Sequence, residues 1–196
     1  AHKFSSGSHA EGRLAAKAAI KYILDHKDFE PSPRGSVEEL KAQVYKPLKT
    51  FEENKDYTSD PNVNPNYIRP KGFVFRLNKI MDEYAGGIGW QYTTSEPALL
   101  RGLEKLQVLK EDADKLAAEN LHELMRAWEN YHRLLTAECH MRHLLYRKET
   151  RWPGYYYRSD YPDMDEQNWR KFVLSKINPD TGEWEMFERP YIPLID

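Results

Sequence analysis

Residues 117–147, in the second half of the chain, read AAENLHELMRAWENYHRLLTAECHMRHLLYR. Apolar side chains recur every three or four positions along it, a spacing typical of one long amphipathic helix. The predicted apolar stripe consists of Leu121, Leu124, Met125, Trp128, Tyr131, Leu135, Cys139 and Arg142. Because a stripe of that length must be covered by other helices, the sequence predicts a helical bundle.

Two further amphipathic helices are predicted just before it. Residues 71–84 carry one apolar face, and the glycine-rich segment 85–89 ends that helix. Ser95 and Pro97 favour a helix start, and the leucines that follow, up to residue 116, form the third stripe. We therefore predict a mainly α fold in which three long helices pack as an antiparallel bundle.

The predicted helical domain covers residues 31–150. It opens with a breaker-rich linker, followed by Ser36 and Glu39, which have the spacing of a capping box at a helix start. Pro47 should kink that helix or start a new segment. Residues 58–70 contain several Pro, Asn and Asp residues that favour turns, so we expect a loop there.

The C-terminal region, residues 151–196, is different in character. Two β-prone runs, residues 168–177 and 183–191, flank the turn-forming sequence NPDTG at 178–182, which predicts a β-hairpin. The region is also rich in aromatic residues, among them Trp152, Tyr155, Tyr156, Tyr157, Tyr161 and Trp169. Since aromatic residues are favoured as interface anchors, we expect this tail to pack against other parts of a larger assembly.

Composition excludes several classes of protein. Of the 196 residues, 40% are hydrophobic and the net charge is −2, which allows a real core and argues against a nucleic-acid binder. The single cysteine excludes an internal disulfide framework and fits a reducing compartment, so we expect a cytoplasmic protein. We find no apolar run long enough to span a membrane and no secretory signal.

The N-terminal segment, residues 1–20, reads AHKFSSGSHAEGRLAAKAAI. Ser8 and Glu11 have the S-x-x-E form of a capping box, which predicts a helix from about residue 8 to residue 25. Gly7 leaves room for close approach of a ligand, and the free amides of a helix start can hold an anion. The alternative is an ordinary capped helix with no ligand. The chain begins inside this motif, which indicates a piece of a longer protein.

Two motifs carry a resemblance to a known family. The order Lys3, Ser8, Glu11, Gly12, Arg13, Ala15, Ala16 is similar to the C-terminal flavin-contacting segment of the fumarate reductase/succinate dehydrogenase flavoprotein superfamily. A second run resembles a signature near the end of the same proteins and includes Arg147, Glu149, Arg151, Arg158, Asp160, Pro162, Asp165, Glu166, Asn168 and Trp169. In this run Trp152 and Pro153 are inserted before Gly154. With this insertion the run resembles that of one branch of the superfamily, the alpha subunits of dissimilatory adenylylsulfate reductases.

This resemblance implies an FAD-dependent enzyme that interconverts adenylylsulfate plus two electrons with AMP plus sulfite, through a flavin N5–sulfite adduct. It implies that residues 1–30 are the end of the FAD-binding domain, whose N-terminal part belongs to the same subunit. Electrons would come from two [4Fe–4S] clusters in a ferredoxin-like beta subunit, and the physiological direction is left open. By resemblance, Lys3 and Phe4 contact substrate or flavin, and the FAD-contacting residues are Ser6, Gly7, Ser8, His9 and Glu11.

Other interpretations remain open at this point. The chain has no G-x-G-x-x-G fingerprint and too few cysteines for a cluster, so it cannot bind a dinucleotide or an iron–sulfur group by itself. The alternatives are a non-catalytic helical interaction module and a related succinate- or aspartate-oxidising flavoprotein. The arginine-rich motif is expected to form an ion-pair network that pins the long helix to the tail. Cys139, His140 and His143 share a helix face, but we favour a structural role for them and predict no metal site.

Overall fold

The computed structural model describes residues 2–28, 35–151 and 154–193, with side chains described from residue 7 onward. The chain divides into two compact units, residues 1–41 and 42–196. Helix α1, His2–Asp25, lies in the first unit. The elements that follow are α2, Val37–Asn54, and a 3-10 turn at Lys55–Tyr57. The mainly α class is confirmed, whereas the division into residues 1–30, 31–150 and 151–196 stays a prediction.

The capping box at the start of α2 is confirmed. The Ser36 N–H donates to Glu39 Oε2 at 2.9 Å, and the Glu39 N–H donates to Ser36 Oγ at 3.1 Å. Pro47 does not start a new segment, because α2 continues through it to Asn54. Pro47 is buried, and its carbonyl accepts a hydrogen bond from the Ala118 N–H at 2.9 Å.

Three helices form the bundle: α3, Pro70–Tyr84; α4, Glu96–Asp112; and α5, Leu121–Tyr146. Arg76, near the middle of α3, pairs with Asp112 at the end of α4 at 2.6 Å. At the opposite end, a Cβ added to Gly102 in α4 would lie 2.7 Å from Tyr84 Cβ, at the end of α3. Helices α3 and α4 are therefore antiparallel.

Two contacts give the orientation of α5 relative to α4. A Cβ on Gly102 would lie 2.9 Å from Met141 Cε, near the end of α5. The Tyr131 hydroxyl, in the middle of α5, donates to the carbonyl of Ala113, just beyond α4, at 3.1 Å. Helices α4 and α5 are thus antiparallel too. The buried core between the three helices and their connections consists of Phe73, Leu77, Ala85, Leu99, Leu106, Leu109, Ala113, Leu116, Leu134, Ala137 and Met141.

The long helix begins four residues later than its sequence predicts. Residues 116–118 are not helical, because Ile68 pairs with this segment: its N–H donates to the Lys115 carbonyl at 2.8 Å, and its carbonyl accepts from the Ala117 N–H at 3.0 Å. Asn120 then caps α5, its side chain accepting from the Glu123 N–H at 3.1 Å.

The predicted apolar stripe of α5 is wrong in part, although Leu124 is buried and Tyr131 packs against the core. Leu121, Met125 and Leu135 are exposed, whereas the buried positions are Leu124, Ala127, Asn130, Leu134, Ala137 and Met141. The prediction followed the large apolar side chains. The bundle instead selects a face with two alanines, because small residues let neighbouring helices approach closely.

One pair of short strands connects the tail to the bundle, and a second pair forms a hairpin within the tail. Strand β1, Thr93–Thr94, pairs in parallel with β2, Tyr157–Arg158. A short helix α6, Glu166–Trp169, precedes the hairpin of β3, Lys171–Ile177, and β4, Trp184–Pro190. These two strands pair antiparallel, with Lys171 opposite Pro190 and Ile177 opposite Trp184, so the predicted hairpin is confirmed.

Candidate functional site

The first candidate site is α1, and its start differs from the prediction. The helix begins at His2, so Ser8 and Glu11 lie inside it and do not form a capping box at its end. Within the described part of the chain, no hydrogen bond joins the side chain of Ser8 or Glu11 to the main-chain N–H of the other residue. With the start moved by six residues, the amide-rich end lies at the level of Lys3 and Phe4. The side chains of Lys3, Phe4 and Ser6 lie outside the described part of the chain.

The remaining predicted contacts divide between two sides of α1. At about 100° per residue, Gly7, Ser8 and Glu11 fall within one arc of about 100°. His9 lies roughly opposite Gly7 and Glu11, so one flat ligand on the first arc would not contact His9. Ser8, His9 and Glu11 are all exposed. A Cβ placed on Gly7 would meet no atom within 4 Å, so the backbone is open to close approach there.

The rest of α1 exposes apolar side chains. Leu14, Ile20, Tyr22, Ile23 and Leu24 are between 56% and 67% exposed. A helix with such a surface does not bury its apolar residues within its own unit. This exposure is consistent with the sequence-based expectation that α1 belongs to a larger domain.

The second candidate site is the arginine-rich motif that follows α5. Arg158 is 0% exposed and forms a two-point ion pair with Asp160, Nε to Oδ1 at 2.8 Å and Nη2 to Oδ2 at 2.7 Å. Its Nη1 donates to the carbonyls of Leu144 and Arg147 at the end of α5. Asp160 also accepts from the Glu96 N–H at 2.8 Å, at the start of α4. Arg158 therefore joins the tail to two helices of the bundle.

Glu149 is the second centre of this network. Its side chain is fully buried and lies between two guanidinium groups, 2.5 Å from Arg147 and 2.6 Å from Arg151. It also accepts from the Asp165 N–H at 3.0 Å. Burial alone would raise the pKa of Glu149, but these hydrogen bonds outweigh it, so its pKa lies below the ordinary glutamate value.

The network extends to the hairpin through main-chain carbonyls. Arg147 donates to the carbonyl of Trp169 at 2.8 Å and to that of Lys171 at 2.9 Å, where β3 begins. Arg151 reaches Glu166 in α6 at 2.8 Å. The predicted role of this motif, an ion-pair network that pins the long helix to the tail, is confirmed.

The histidine and cysteine cluster on α5 contacts the hairpin as well. His143 Nε2 lies 2.9 Å from Ser175 Oγ, and Cys139 Sγ lies 3.8 Å from the same oxygen. Burial, followed by the neighbouring Arg147 charge, lowers the pKa of His143. Within residues 2–28, 35–151 and 154–193, no group of three or more metal-ligating side chains is close enough to hold an ion.

Residues 75–193, more than half of the chain, match the profile of the family described as fumarate reductase flavoprotein C-term. The chain belongs to this family. The match includes most of α3, all of α4 and α5, and the whole arginine-rich motif, so the buried network around Glu149 and Arg158 is part of the family's C-terminal domain.

Similar proteins cover the N-terminal helix too. The chain is 49% identical to adenylylsulfate reductase subunit alpha of Megalodesulfovibrio gigas over 99% of its length, which is 29% of that relative. It is 54% identical, with a TM-score of 0.93, to the solved adenylylsulfate reductase of Archaeoglobus fulgidus, covering 100% of this chain and 30% of that one. A structure described as adenosine-5-phosphosulfate reductase in complex with sulfite as a covalent adduct gives the same values. The chain thus spans about 30% of the relatives that it matches.

Two residues important for the bundle were missed by the sequence prediction. Asn130 is 1% exposed, although a polar side chain was not expected in the buried face. Gly102 is the point where three helices meet. The spacing of Ala127, Asn130, Leu134 and Ala137 could have revealed the buried face of α5, had small residues been counted as core positions.

No helix among the described residues is both long and apolar enough to cross a membrane.

Proposed function

We propose that this chain is the C-terminal part of the alpha (flavoprotein) subunit of an adenylylsulfate reductase. The complete enzyme would interconvert adenylylsulfate plus two electrons with AMP plus sulfite, in the cytoplasm. The observation that carries the proposal is the 49% identity to an adenylylsulfate reductase alpha subunit, because it extends over 99% of the chain and so includes both α1 and the tail.

The exposed arc of α1 fits a contact with FAD. Gly7 offers open backbone, and Ser8 and Glu11 present a hydroxyl and a carboxylate on the same side of the helix. A carboxylate accepts hydrogen bonds from hydroxyl groups, such as those of a ribityl chain. We assign Gly7, Ser8 and Glu11 to this contact. Ser6 and His9 also belong to the predicted set, but His9 lies on the opposite side of the helix and would need a different part of the ligand.

The chemistry that FAD would supply when bound is a two-electron couple and an N5 atom able to bond to the sulfur of sulfite. This chain would supply binding and electrostatics. The positive end of the α1 dipole lies in its first turn, where Lys3 and Phe4 also are. A lysine at this position would attract the oxyanions of adenylylsulfate or sulfite, and Phe4 would contact substrate or the flavin ring.

The tail is the proposed contact with other parts of the enzyme. Residues 151–196 hold the aromatic residues named in the sequence analysis, and the ion pairs of Glu149 with Arg147 and of Arg158 with Asp160 fix the position of this region on the bundle. We propose that this surface packs against the rest of the alpha subunit or against a ferredoxin-like beta subunit that carries two [4Fe–4S] clusters. Trp152, which we predicted as an anchor of this interface, lies outside the described residues.

The proposal is tested with the complete subunit, purified with and without its iron–sulfur partner. We expect sulfite-dependent and AMP-dependent electron transfer to an artificial acceptor, and no turnover of succinate or aspartate. The 196-residue chain by itself should be inactive, because it contains no dinucleotide fingerprint and one cysteine. Oxidation of succinate or aspartate would favour the alternative flavoproteins, and absence of bound flavin would favour an interaction module.

A further inference from the structure

The loop between α3 and α4 places large apolar side chains on the surface. Ile88, Trp90 and Tyr92 are 76%, 59% and 42% exposed. The Tyr92 carbonyl accepts a hydrogen bond from the Tyr157 N–H at 2.8 Å, so β2 lies beside the loop. Tyr157 is 37% exposed, and Tyr155, two residues earlier, is 79% exposed. We call these five residues, which lie on two adjacent segments, the loop patch.

The backbone of this loop is strained. Gln91 and Tyr92 have φ values of 52° and 59°, in the left-handed region that residues other than glycine rarely adopt. Main-chain hydrogen bonds hold the turn: the N–H groups of Trp90 and Tyr92 both donate to the Gly87 carbonyl, at 3.1 Å and 3.0 Å. The loop patch is therefore part of a fixed turn.

This strain is not offset by burial within the described part of the chain, because the side chains that the turn carries stay mainly exposed. Strained turns persist where the surrounding structure or a function requires them. Residues 85–95 carry no charged side chain, and tryptophan and tyrosine are enriched among the residues that dominate binding energy. An uncharged aromatic surface is typical of the buried centre of a permanent interface, rather than of an encounter steered by charge.

The neighbour that fits best is the rest of the same subunit. The chain spans only 29% of the relative to which it is 49% identical, so most of that subunit lies outside it. A segment of the same polypeptide is present at high effective concentration as soon as the subunit folds. A patch that waited for a separate protein would stay exposed and would favour aggregation. We propose that the loop patch is the docking surface of the flavin-binding part of the same subunit, an inference that rests on the proposed function.

Hydroxyl-radical labelling of the complete subunit, read by mass spectrometry, tests this proposal. The labelling rate of Trp90 is compared with its rate in the urea-unfolded subunit, once without and once with the iron–sulfur partner. We expect at least severalfold protection of Trp90 in the subunit alone and no further protection when the partner is added. Unprotected Trp90, or protection that develops only with the partner, would overturn the proposal.

Sulfite- and AMP-dependent electron transfer is measured on the preparation that contains the partner. This activity tests the proposed function, whereas Trp90 labelling tests the docking surface, so the two can fail separately. An active enzyme with unprotected Trp90 would refute the docking surface alone. Protected Trp90 in a protein without this activity would refute the assigned reaction and leave the docking surface standing.

A matched pair of variants gives a second measurement. Trp90→Ser should lower the midpoint of thermal unfolding of the complete subunit by several degrees, because it removes a large apolar side chain from a buried contact. Phe75→Ser is the control, since Phe75 on α3 is 60% exposed but lies outside the loop patch. The midpoint of this control should change little. Equal shifts in the two variants would contradict the proposal.

Discussion

The arginine-rich motif in the tail and the Ser8–Glu11 segment of α1 differ in how their polar groups are satisfied. In the tail, Glu149, Thr150 and Arg158 are between 0% and 2% exposed and find their partners inside the chain. On α1, Ser8 and Glu11 are exposed. A motif whose polar groups are satisfied internally serves the fold. A motif that presents them outward is available for something outside the chain, which in our proposal is FAD.

The largest effect is expected from removing the buried cation of the tail. Arg158→Met should lower the free energy of unfolding by about 3–5 kcal/mol, because it leaves Asp160 and two buried carbonyls without their partner. Lys79→Met is the control: Lys79 pairs with Glu83 at 2.6 Å but is 74% exposed, so its loss should cost about 0.5 kcal/mol. Urea unfolding measures both. Equal costs would mean that the network does not stabilise the tail.

A glycine in the bundle provides the second test. Gly102→Ala should destabilise the bundle by about 1–3 kcal/mol, because the new methyl would lie 2.7 Å from Tyr84 Cβ and 2.9 Å from Met141 Cε. The measurement is the shift in the midpoint of urea unfolding at unchanged slope. A neutral substitution would show that α3, α4 and α5 pack less closely than described.

The network should also make stability depend on pH. The pKa of Glu149 is lower in the folded chain, so its contribution is complete above the unfolded value of about 4.3 and is lost as pH falls through the folded value. One such carboxyl changes the free energy of unfolding by at most about 1.4 kcal/mol per pH unit. Glu149→Gln should therefore flatten the acid limb of the stability profile. Glu104→Gln, at an exposed position on α4, should leave that limb unchanged.

The smallest effect is expected on α1. Gly12→Ala should stabilise the helix by up to about 1 kcal/mol, since alanine favours helix and the added Cβ would meet nothing within 4 Å. Amide hydrogen exchange along α1 should slow severalfold. The same substitution thus stabilises one region and destabilises the other. Faster exchange in the Gly12→Ala variant would contradict the open surface of α1.

Sequence patterns predicted elements well where local chemistry determines them. Ser36 with Glu39 marked a helix start, residues 71–84 marked α3 to within one residue, and NPDTG marked the hairpin turn. They failed where tertiary contacts decide. Pairing of Ile68 with residues 115–117 keeps that segment out of α5.

Sequence patterns predicted the two candidate sites and the buried face of α5 only in part, because tertiary contacts decide these regions as well. The arginine motif predicted an ion-pair network, but periodicity favoured the large side chains on α5 and so missed Asn130 and the face around Ala127. At the N-terminus, Ser8 and Glu11 had the capping spacing, yet the helix extends to His2. Residues 2–7 contain no proline, and one glycine costs only about 1 kcal/mol in a helix. Spacing alone does not distinguish a true helix start from an internal pair at i and i+3.

The most direct test of the account is the flavin content of the complete subunit carrying Glu11→Ala. The control is Asp25→Ala, which removes an equal charge from the other end of the same helix. Absorbance of the flavin relative to protein, with circular dichroism as the check on folding, gives the answer. We predict a clear loss of FAD in Glu11→Ala and full retention in Asp25→Ala. A normal flavin-to-protein ratio in Glu11→Ala would contradict the assignment of α1 to the flavin site.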